Sequence, residues 1–355
     1  MKRIEINTAG QKSIILMGGT VEDIRERLPG KGLFIITDSN VGRIYRSIFP
    51  PGEVLEIEAG EKSKTLQVVS DLCKRMLDAG ADRSSFVLGF GGGVVCDVAG
   101  LTASLFMRGV RHAFVSTSLL SQIDASIGGK NGVNLGENKN IIGTIRQPEF
   151  VLCDHKMLAT LPEEEFLSGM GEMYKHAAIR DRNLFFDISS SADRLATRDP
   201  RILGDLILRS VKIKAAIVRR DPLEKDIRRI LNFGHTFGHL LETHYRMPHG
   251  VAVARGMVIA AELSGWAGEL PHAEYRLLRV ELEKAGLTGE EEELPPNVIG
   301  RIARDKKSEA GSVNVVLLRA VGKAIVRRLS LTELQAFVNY YNEKVNNSQS
   351  IQQGK

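Results

Sequence analysis

Strand-like and helix-like segments alternate along roughly the first 150 residues, and this alternation restricts the fold more than any other feature of the chain. Residues 32–40 (GLFIITDSN) have the pattern of a buried strand that ends in a turn, and residues 63–80 that of an amphipathic helix. Residues 84–109 run as a strand into three glycines and then a helix, and residues 111–120 begin as another strand. This order predicts a parallel sheet with helices on its faces.

The pattern changes near residue 160. Pro162 followed by three Glu residues is typical of the first turn of a helix. From there helical periodicity dominates, apart from one strand-like stretch over residues 313–330. We therefore predict two domains, residues 1–159 and 160–345, and a polar, frayed tail over residues 346–355.

Composition places the chain among globular proteins. Its 355 residues suit two domains, and 43% hydrophobic with 26% charged residues is ordinary for a soluble protein. No apolar run approaches the roughly 20 residues that a membrane helix needs. The first 19 residues are too polar for a signal peptide. We expect a cytoplasmic protein with no membrane partner.

Cysteine spacing and net charge narrow the range of partners. Cys73, Cys96 and Cys153 lie far apart without CxxC spacing, which favours neither a zinc–thiolate site nor a disulfide framework. The formal net charge is +5, but the basic residues are scattered and do not interleave with aromatics. An anionic small molecule explains the excess charge as well as nucleic acid would, and we expect no nucleic-acid partner.

The three glycines belong to a motif that suits a diphosphate. Residues 91–97 (GGGVVCD) follow a strand and open a helix, so backbone N–H groups could approach phosphate. The GxGxxG fingerprint is absent, and a merely tight turn is the alternative. Two more turns follow strands, Asp38-Ser39-Asn40 and residues 60–64, and Asp38 could accept ribose hydroxyls. Ligands of open α/β sheets bind at strand carboxyl ends, so these turns could share one crevice.

Residues 116–148 form a polar, glycine-rich segment that is long for a simple connection, which suggests function. Asp124, Lys130, Lys139 and Asn140 put an acid, two cations and an amide within 17 residues. Lysines suit phosphate and carboxylate groups. The alternative is a solvated loop.

The histidines are clustered, because four of the eight fall within 15 residues, at His235, His239, His244 and His249. The four-residue spacing of His235 and His239 places both on one face of a helix, and Gly238 between them would let another group come close. His249 opens a further helical segment. A carboxylate from elsewhere could complete a metal site of two His and one Glu, and Glu172 is the best candidate.

A charged segment, residues 224–232, precedes this cluster. Arg228 and Asn232 are four positions apart, and on a continuous helix both would lie on a similar face to His235. That face could bind a carboxylate through Arg228. The alternative is an exposed, salt-bridged helix.

Taken together, these segments resemble the sugar phosphate cyclase superfamily and, most closely, the 3-dehydroquinate synthase family, from about residue 35 to about residue 325. The similarity rests on the order and spacing of GGGVVCDVAG (91–100), SLLSQIDASIGGKNGVN (118–134), KNIIG (139–143), GEMYKHAAI (171–179), LNFGHTFGH (231–239) and HG (249–250). It implies an α/β fold with an N-terminal Rossmann-like NAD-binding domain and a C-terminal, mostly α-helical metal-binding domain.

The resemblance also implies roles for individual residues. The implied metal ligands, for zinc or cobalt, are Glu172, His235 and His249. The implied NAD contacts are Asp38, Asn40, Glu61, Lys64, Gly92, Gly93, Val94, Asp97, Thr117, Ser118 and Lys139. The implied substrate contacts are Asp124, Lys130, Asn140, Lys175, Lys214, Arg228, Leu231, Asn232, His239 and one of Lys306 and Lys307. Arg108 resembles an arginine that reaches a neighbouring subunit's site, which implies a homodimer.

Three positions depart from the family pattern. Cys96 stands where glycine is usual, and Ser168 replaces a usual asparagine near the cofactor. Val251 follows His249-Gly250 where the family usually has glutamate, a carboxylate that could tune a metal. The connection between His239 and His249 is also shorter than usual.

The implied reaction converts 3-deoxy-D-arabino-heptulosonate 7-phosphate into 3-dehydroquinate and phosphate, a step of the shikimate pathway to chorismate and aromatic amino acids. It proceeds by transient oxidation with NAD, elimination of phosphate, re-reduction and intramolecular aldol closure. A metal would polarise the oxidised oxygen as a Lewis acid. His239 and Glu224 are the expected proton-transfer groups.

Three alternatives remain open. Another sugar phosphate cyclase could act on a ketose phosphate without a carboxylate, although Arg228 and Lys214 would then not both be needed. A metal-dependent polyol or glycerol-phosphate dehydrogenase shares the two-domain layout and a GGGxxxD turn, but would consume NAD stoichiometrically. The histidine segment fits such a dehydrogenase less well. A non-catalytic protein that kept the fold is opposed by the retention of all three metal ligands.

Overall fold

The computed structural model of the chain describes residues 1–8, 10–136, 138–305 and 311–353. The N-terminal elements are β1 (Lys2–Thr8), β2 (Gln11–Met17), β3 (Leu33–Asp38), α1 (Ser39–Tyr45), β4 (Glu53–Ile57), α2 (Leu66–Asp78), β5 (Phe86–Gly91), α3 (Gly93–Leu105), β6 (Arg111–Ser116), β7 (Lys130–Leu135), β8 (Asn138–Ile145) and β9 (Phe150–Cys153). Short 3-10 segments and one π-helical turn, at Ser121–Ala125, lie between them.

The C-terminal elements are mostly helical, as predicted. They are α4 (Glu163–Arg180), α5 (Arg182–Ser190), α6 (Ala192–Ala196), α7 (Pro200–Arg220), α8 (His235–Tyr245), α9 (His249–Trp266), α10 (His272–Lys284), α11 (Val298–Asp305), β10 (Ser312–Ala320), β11 (Lys323–Ser330) and α12 (Leu331–Gln353). The antiparallel hairpin of β10 and β11 confirms the strand-like stretch predicted over residues 313–330. α12 includes most of the predicted tail, and its fraying stays a prediction.

One sheet has the strand order β1-β2-β9-β6-β5-β3-β4. All neighbouring strands are parallel except β1 and β2, so the predicted parallel sheet is confirmed. Its central strands carry fully buried apolar side chains such as Ile35, Phe86 and Val115, because a parallel sheet is covered on both faces. The β1-β2 hairpin was not predicted, although Ile4 and Ile6 alternate with exposed Arg3 and Glu5 as in a half-buried strand.

The chain forms two compact units. Unit 1 comprises Met1–Gly169 and Arg194–Leu223, and unit 2 comprises Met170–Asp193 and Glu224–Lys355. Unit 1 therefore takes in α7, which packs against β1 and the π-helical turn. The single boundary at residue 159 stays a prediction, because helical periodicity cannot show which unit a helix joins. Among the described residues, no helix is both long and apolar enough to span a membrane.

The glycine-rich segment of residues 116–148 contains an antiparallel hairpin, β7 and β8, where the sequence suggested a loop. Its glycines permit close approach of the strands, since a Cβ atom on Gly143 would lie 2.2 Å from Asn131 O. The same hairpin packs on α3 at another glycine, where a Cβ atom on Gly100 would lie 2.0 Å from Asn131 Oδ1. The glycines of this segment therefore lie at packing contacts. Composition alone cannot distinguish such glycines from those of a loop.

Replacing Gly100 by alanine should destabilise unit 1. Asn131 is buried, and its Nδ2 donates to Gly129 O and Arg146 O at 3.0 Å each, so it cannot turn away without leaving polar groups unpaired. We expect the free energy of unfolding to fall by about 1–3 kcal/mol, measured by urea unfolding.

The matched control for that variant is Gly265→Ala on α9, where a new Cβ atom would meet only Leu270 O, at 3.7 Å. The control should unfold at the same urea concentration as the parent or slightly higher. Equal stability of the two variants would contradict the packing of α3 on the hairpin.

Candidate active site

Three side chains of unit 2 converge as a candidate metal centre. Glu172 lies within α4, and His235 and His249 are the first residues of α8 and α9. Glu172 Oε1 lies 3.4 Å from His235 Nε2 and 3.2 Å from His249 Nε2. Ligand atoms about 2.0–2.1 Å from a tetrahedral ion lie roughly 3.3 Å apart, so these donors fit zinc or cobalt. The structure brings the three predicted ligands together.

The atoms that face away from this centre also have partners. His235 Nδ1 lies 3.3 Å from Phe233 O, and His249 Nδ1 lies 3.2 Å from Glu242 Oε2. Lys175 Nζ pairs with Glu172 Oε2, and both side chains are fully buried. Sequence analysis missed Glu242. The signal was available, because Glu242 follows His235 by seven positions and so lies on the same face of α8.

Burial and the neighbouring carboxylates set the protonation of the two histidines. Burial lowers the pKa of His235 well below its ordinary value, which keeps its imidazole neutral. Burial also opposes protonation of His249, but Glu172 and Glu242 together outweigh it and raise the pKa of His249 to about 9. A coordinated imidazole must be neutral, so a divalent ion would displace that proton.

A backbone contact between α4 and α9 holds Glu172 beside His249. A Cβ atom on Gly171 would lie 2.2 Å from Gly250 O, so the two helices touch without an intervening side chain. These glycines are the immediate sequence neighbours of the two ligands. The separation of Glu172 and His249 is therefore fixed by main-chain atoms.

A second set of glycines packs α8 against α9. A Cβ atom on Gly256 would lie 2.1 Å from Gly234 O, and one on Gly238 would lie 2.9 Å from Ala252 O. The prediction that Gly238 lets another group come close is confirmed, and that group is α9. This contact fixes His235 and His239 relative to His249.

In unit 1 the glycine-rich turn after β5 lies beside the turn after β6. Thr117 N donates to Gly91 O at 3.0 Å, and a Cβ atom on Gly92 would lie 3.3 Å from Ser118 Oγ. The first helical bond of α3 runs from Cys96 N to Gly92 O, at 3.0 Å. Cys96 is buried, and burial raises the pKa of its thiol, so this departure from the family pattern places a neutral thiol in the core.

The turn at residues 60–64 lies against α3 and the β7-β8 hairpin. Lys64 Nζ lies 2.5 Å from Asp97 Oδ2, and both side chains are largely buried. Burial raises the pKa of Asp97, although Lys64 opposes that rise. Glu61 Oε1 accepts from Asn134 Nδ2 at 2.8 Å, and Asn134 Oδ1 accepts from Asn140 N at 2.9 Å. Four predicted site residues are thus connected in two pairs. Asn134 joins Glu61 to Asn140, and an ion pair joins Lys64 to Asp97.

Asp38 has a structural role at the end of β3. Its Oδ1 accepts from Asn40 N and Val41 N, each at 2.9 Å, and so caps α1. Ser39 Oγ accepts from Ala59 N at 3.3 Å, which brings this turn next to the turn that follows β4. A ribose contact by Asp38 stays a prediction.

Lys214 and Asp124, both predicted substrate contacts, meet within unit 1. Lys214 Nζ lies 2.5 Å from Asp124 O and also pairs with Asp124 Oδ1. Lys214 is buried on α7, and Asp124 lies in the π-helical turn. This pair provides a fixed buried cation within reach of the glycine-rich segment.

The continuous helix expected from Arg228 to His235 is wrong. Residues 227–232 form a 3-10 turn, Phe233 is extended, and Gly234 has φ +83° before α8 begins. The break follows from the close approach of Gly234 to α9, which only a glycine in this conformation permits. Arg228 is nonetheless buried, and Asn232 Nδ2 donates to Glu224 Oε1 at 2.6 Å.

The remaining predicted residues lie on different parts of the two units. His239 lies near the candidate metal centre, edge-on to His235 with the ring centroids 5.2 Å apart. Arg108, Lys130 and Lys139 are exposed, and Leu231 is buried. Lys306 and Lys307 lie outside the described residues.

Comparison with protein families matches most of the chain. The family "3-dehydroquinate synthase N-terminal" matches residues 54–168, and "3-dehydroquinate synthase C-terminal" matches residues 169–308. A 3-dehydroquinate synthase of Acidithiobacillus ferrooxidans is 39% identical over 323 residues, covering 86% of this chain and 89% of the relative.

Solved structures share this fold. A 2-deoxy-scyllo-inosose synthase complexed with carbaglucose-6-phosphate, NAD+ and Co2+ superposes with a TM-score of 0.84 at 24% identity, over 95% of this chain and 99% of that one. A 2-epi-5-epi-valiolone synthase of Streptomyces hygroscopicus, with NAD+ and Zn2+ bound, also gives 0.84, at 25% identity over 96% and 98% of the two chains.

Replacing Gly171 by alanine should weaken metal binding as well as stability. The new Cβ atom would meet a backbone oxygen, so α4 must move from α9 and carry Glu172 away from His249. We expect unfolding to become easier by about 1–3 kcal/mol, with weaker Co2+ binding in a titration of the metal-free protein. Gly265→Ala is again the control, and Co2+ affinity equal to that of the control would refute the proposed backbone contact.

Proposed function

The chain belongs to the 3-dehydroquinate synthase family, and from this membership we infer that it converts 3-deoxy-D-arabino-heptulosonate 7-phosphate into 3-dehydroquinate and phosphate. The observation that carries the inference is the convergence of Glu172, His235 and His249 in a chain that both family profiles match. The enzyme is then a carbon–oxygen lyase of the shikimate pathway.

We propose that unit 1 holds NAD. The turn at Gly92 and Gly93 offers the N-terminal N–H groups of α3 to a diphosphate, and neither glycine carries a side chain of its own. Thr117 and Ser118 border the same turn, and Asp97, which pairs with Lys64, lies on the helix that the turn opens. NAD held there would supply reversible hydride transfer with a secondary alcohol of the substrate.

We propose that unit 2 holds a divalent metal through Glu172, His235 and His249. At this donor set zinc or cobalt supplies Lewis acidity toward a substrate oxygen. Lys175 neutralises the oxygen of Glu172 that faces away from the histidines. His239 lies beside the centre and is proposed to move a proton at the reacting carbon.

The remaining polar residues are proposed to bind and orient the substrate. Lys130 and Asn140 on the hairpin suit phosphate oxygens, and the buried cations Lys214 and Arg228 suit anionic groups. The bond between Asn232 and Glu224 fixes the amide and the carboxylate relative to each other, so that Glu224 can hold a proton at a set position. Restricted geometry of this kind is worth more in catalysis than strong side-chain basicity.

Other activities on this fold are less well supported. The related cyclases that act on other sugar phosphates are only 24–25% identical to this chain, against 39% for a 3-dehydroquinate synthase. A probable glycerol dehydrogenase has a TM-score of 0.67 at 14% identity, which reflects the fold alone.

We also propose a homodimer in the cytoplasm. Leu105 and Met107 are exposed near Arg108, and exposed Ile145 is close to them, because Ser104 Oγ and Thr144 Oγ1 lie 3.1 Å apart. An exposed apolar patch around an arginine suits a self-complementary interface. The three cysteines are free thiols, which suits a reducing compartment.

Purified protein with catalytic NAD and zinc should release many equivalents of phosphate from the heptulosonate phosphate without net NADH. Chelator should stop the reaction, and His235→Ala should lose both metal and turnover. Phosphate release and absorbance of NADH measure the two quantities. Steady accumulation of NADH, or a His235→Ala variant that keeps its zinc, would contradict the assignment.

The homodimer predicts a mass near twice 39.0 kDa in light scattering. Ile145→Glu should shift the protein toward the monomer, because a charge cannot be buried in an apolar contact without a partner. Val280→Glu, at an equally exposed position on α10, is the control. A monomeric parent, or equal effects of the two variants, would overturn this interface.

A further inference from the structure

The imidazole of His249 is held on both sides by carboxylates. Its Nε2 lies 3.2 Å from Glu172 Oε1, and its Nδ1 lies 3.2 Å from Glu242 Oε2. Glu242 is buried, with 8% of its surface exposed. A buried carboxylate is costly unless a hydrogen bond or a positive charge compensates it, so its position against this ring requires an explanation.

The short connection between α8 and α9 places Glu242 there. Residues 246–248 join the helices, and Arg246 adopts a left-handed conformation at φ 54°. The two helices then pack at Gly238 and Gly256. The face of α8 that carries Glu242 is therefore turned toward the first residue of α9, which is His249.

The two histidines present the same ring nitrogen to Glu172. Both use Nε2, so in the neutral ring that binds a metal the proton is on Nδ1. His235 has a backbone carbonyl, Phe233 O, at its Nδ1, whereas His249 has a carboxylate. The hydrogen bond from Nδ1 to a carboxylate is stronger than one to a backbone carbonyl. It makes Nε2 of the same ring a better electron-pair donor to a metal ion.

We propose that Glu242 is a positioning residue that fixes the tautomer and the orientation of His249 for the metal. This proposal rests on the proposed metal site and names a further determinant of its affinity. Glu242 acts through His249 and does not itself contact the reacting atoms. The side chain of Val251, which follows His249-Gly250, has no polar group. The carboxylate that contacts Nδ1 of His249 therefore comes from α8, from Glu242.

Cobalt binding to the metal-free protein tests the proposal. Glu242→Ala should bind Co2+ about 10–100-fold more weakly than the parent, the usual cost of losing such a partner. Glu242→Gln keeps the size and one acceptor oxygen, so its loss should be smaller. Competition with a chelator measures affinity, and visible absorption of bound Co2+ should change in both variants because the ring can turn.

The control is Glu262→Gln. Glu262 lies on α9, is largely buried, and accepts from Lys344 Nζ at 2.8 Å and Tyr340 Oη at 3.1 Å. This variant removes a paired carboxylate near the same helices and should leave the affinity and spectrum of Co2+ unchanged. Urea unfolding of the metal-free variants separates loss of fold from loss of site.

The outcomes distinguish this inference from the proposed function. A parent that does not bind Co2+ overturns the metal site and the role of Glu242 together. A parent that binds Co2+, with Glu242 variants of unchanged affinity and spectrum, overturns only the role of Glu242. Equal loss of affinity in Glu242→Gln and Glu262→Gln also overturns it, since the effect would then be structural.

Discussion

Direct contact between helix backbones is the constraint on which the proposed metal centre depends. The contact of Gly171 with Gly250 sets the distance between α4 and α9, and that of Gly234 with Gly256 sets the distance between α8 and α9. Side chains can change rotamer, whereas touching main chains cannot approach or separate without moving whole helices. The backbone of each ligand residue is held in place in the same way, because each ligand directly adjoins one of these contacting glycines in sequence.

Buried charges in both units occur beside opposite charges. Lys64 lies beside Asp97, Lys214 beside Asp124, and Lys175 beside Glu172. Removing one member of such a pair leaves the other uncompensated, at a cost of about 3–5 kcal/mol. Pairing of this kind holds the ionic groups in fixed positions, and the proposed substrate contacts Lys214 and Lys175 would need little reorganisation to meet an anion.

The sequence predicted the elements better than their contacts. β3, β5, β6 and α2 follow from periodicity, because strand and helix differ in the spacing of buried residues. The β7-β8 hairpin was missed because glycine marks both turns and close packing. Periodicity also could not place α7 in unit 1. The apolar face of a helix shows that the face is buried, but it does not show which element buries it.

The metal centre was predictable to a similar degree. Spacing placed His235 and His239 on one face, whereas no spacing tied Glu172, the best candidate carboxylate, to the histidines. Gly234 broke the expected helix, because its left-handed conformation is dictated by α9, which is distant in sequence. Glu242 was detectable by its spacing on α8, but only the packing of α9 identifies the ring it contacts.

Helix N-termini and carboxylates act in opposite directions on a cation at the candidate metal centre. His235 and His249 begin α8 and α9, and each helix N-terminus carries the equivalent of about half a positive charge. That field opposes protonation of the rings but also opposes a cation. Two carboxylates, Glu172 and Glu242, counteract both effects at His249. A divalent ion gains about twice as much from them as a proton does, because Coulomb energy scales with charge. Without the ion, the same carboxylates hold a proton on His249 and raise its pKa to about 9, whereas burial keeps His235 neutral. A divalent ion that binds here displaces that proton.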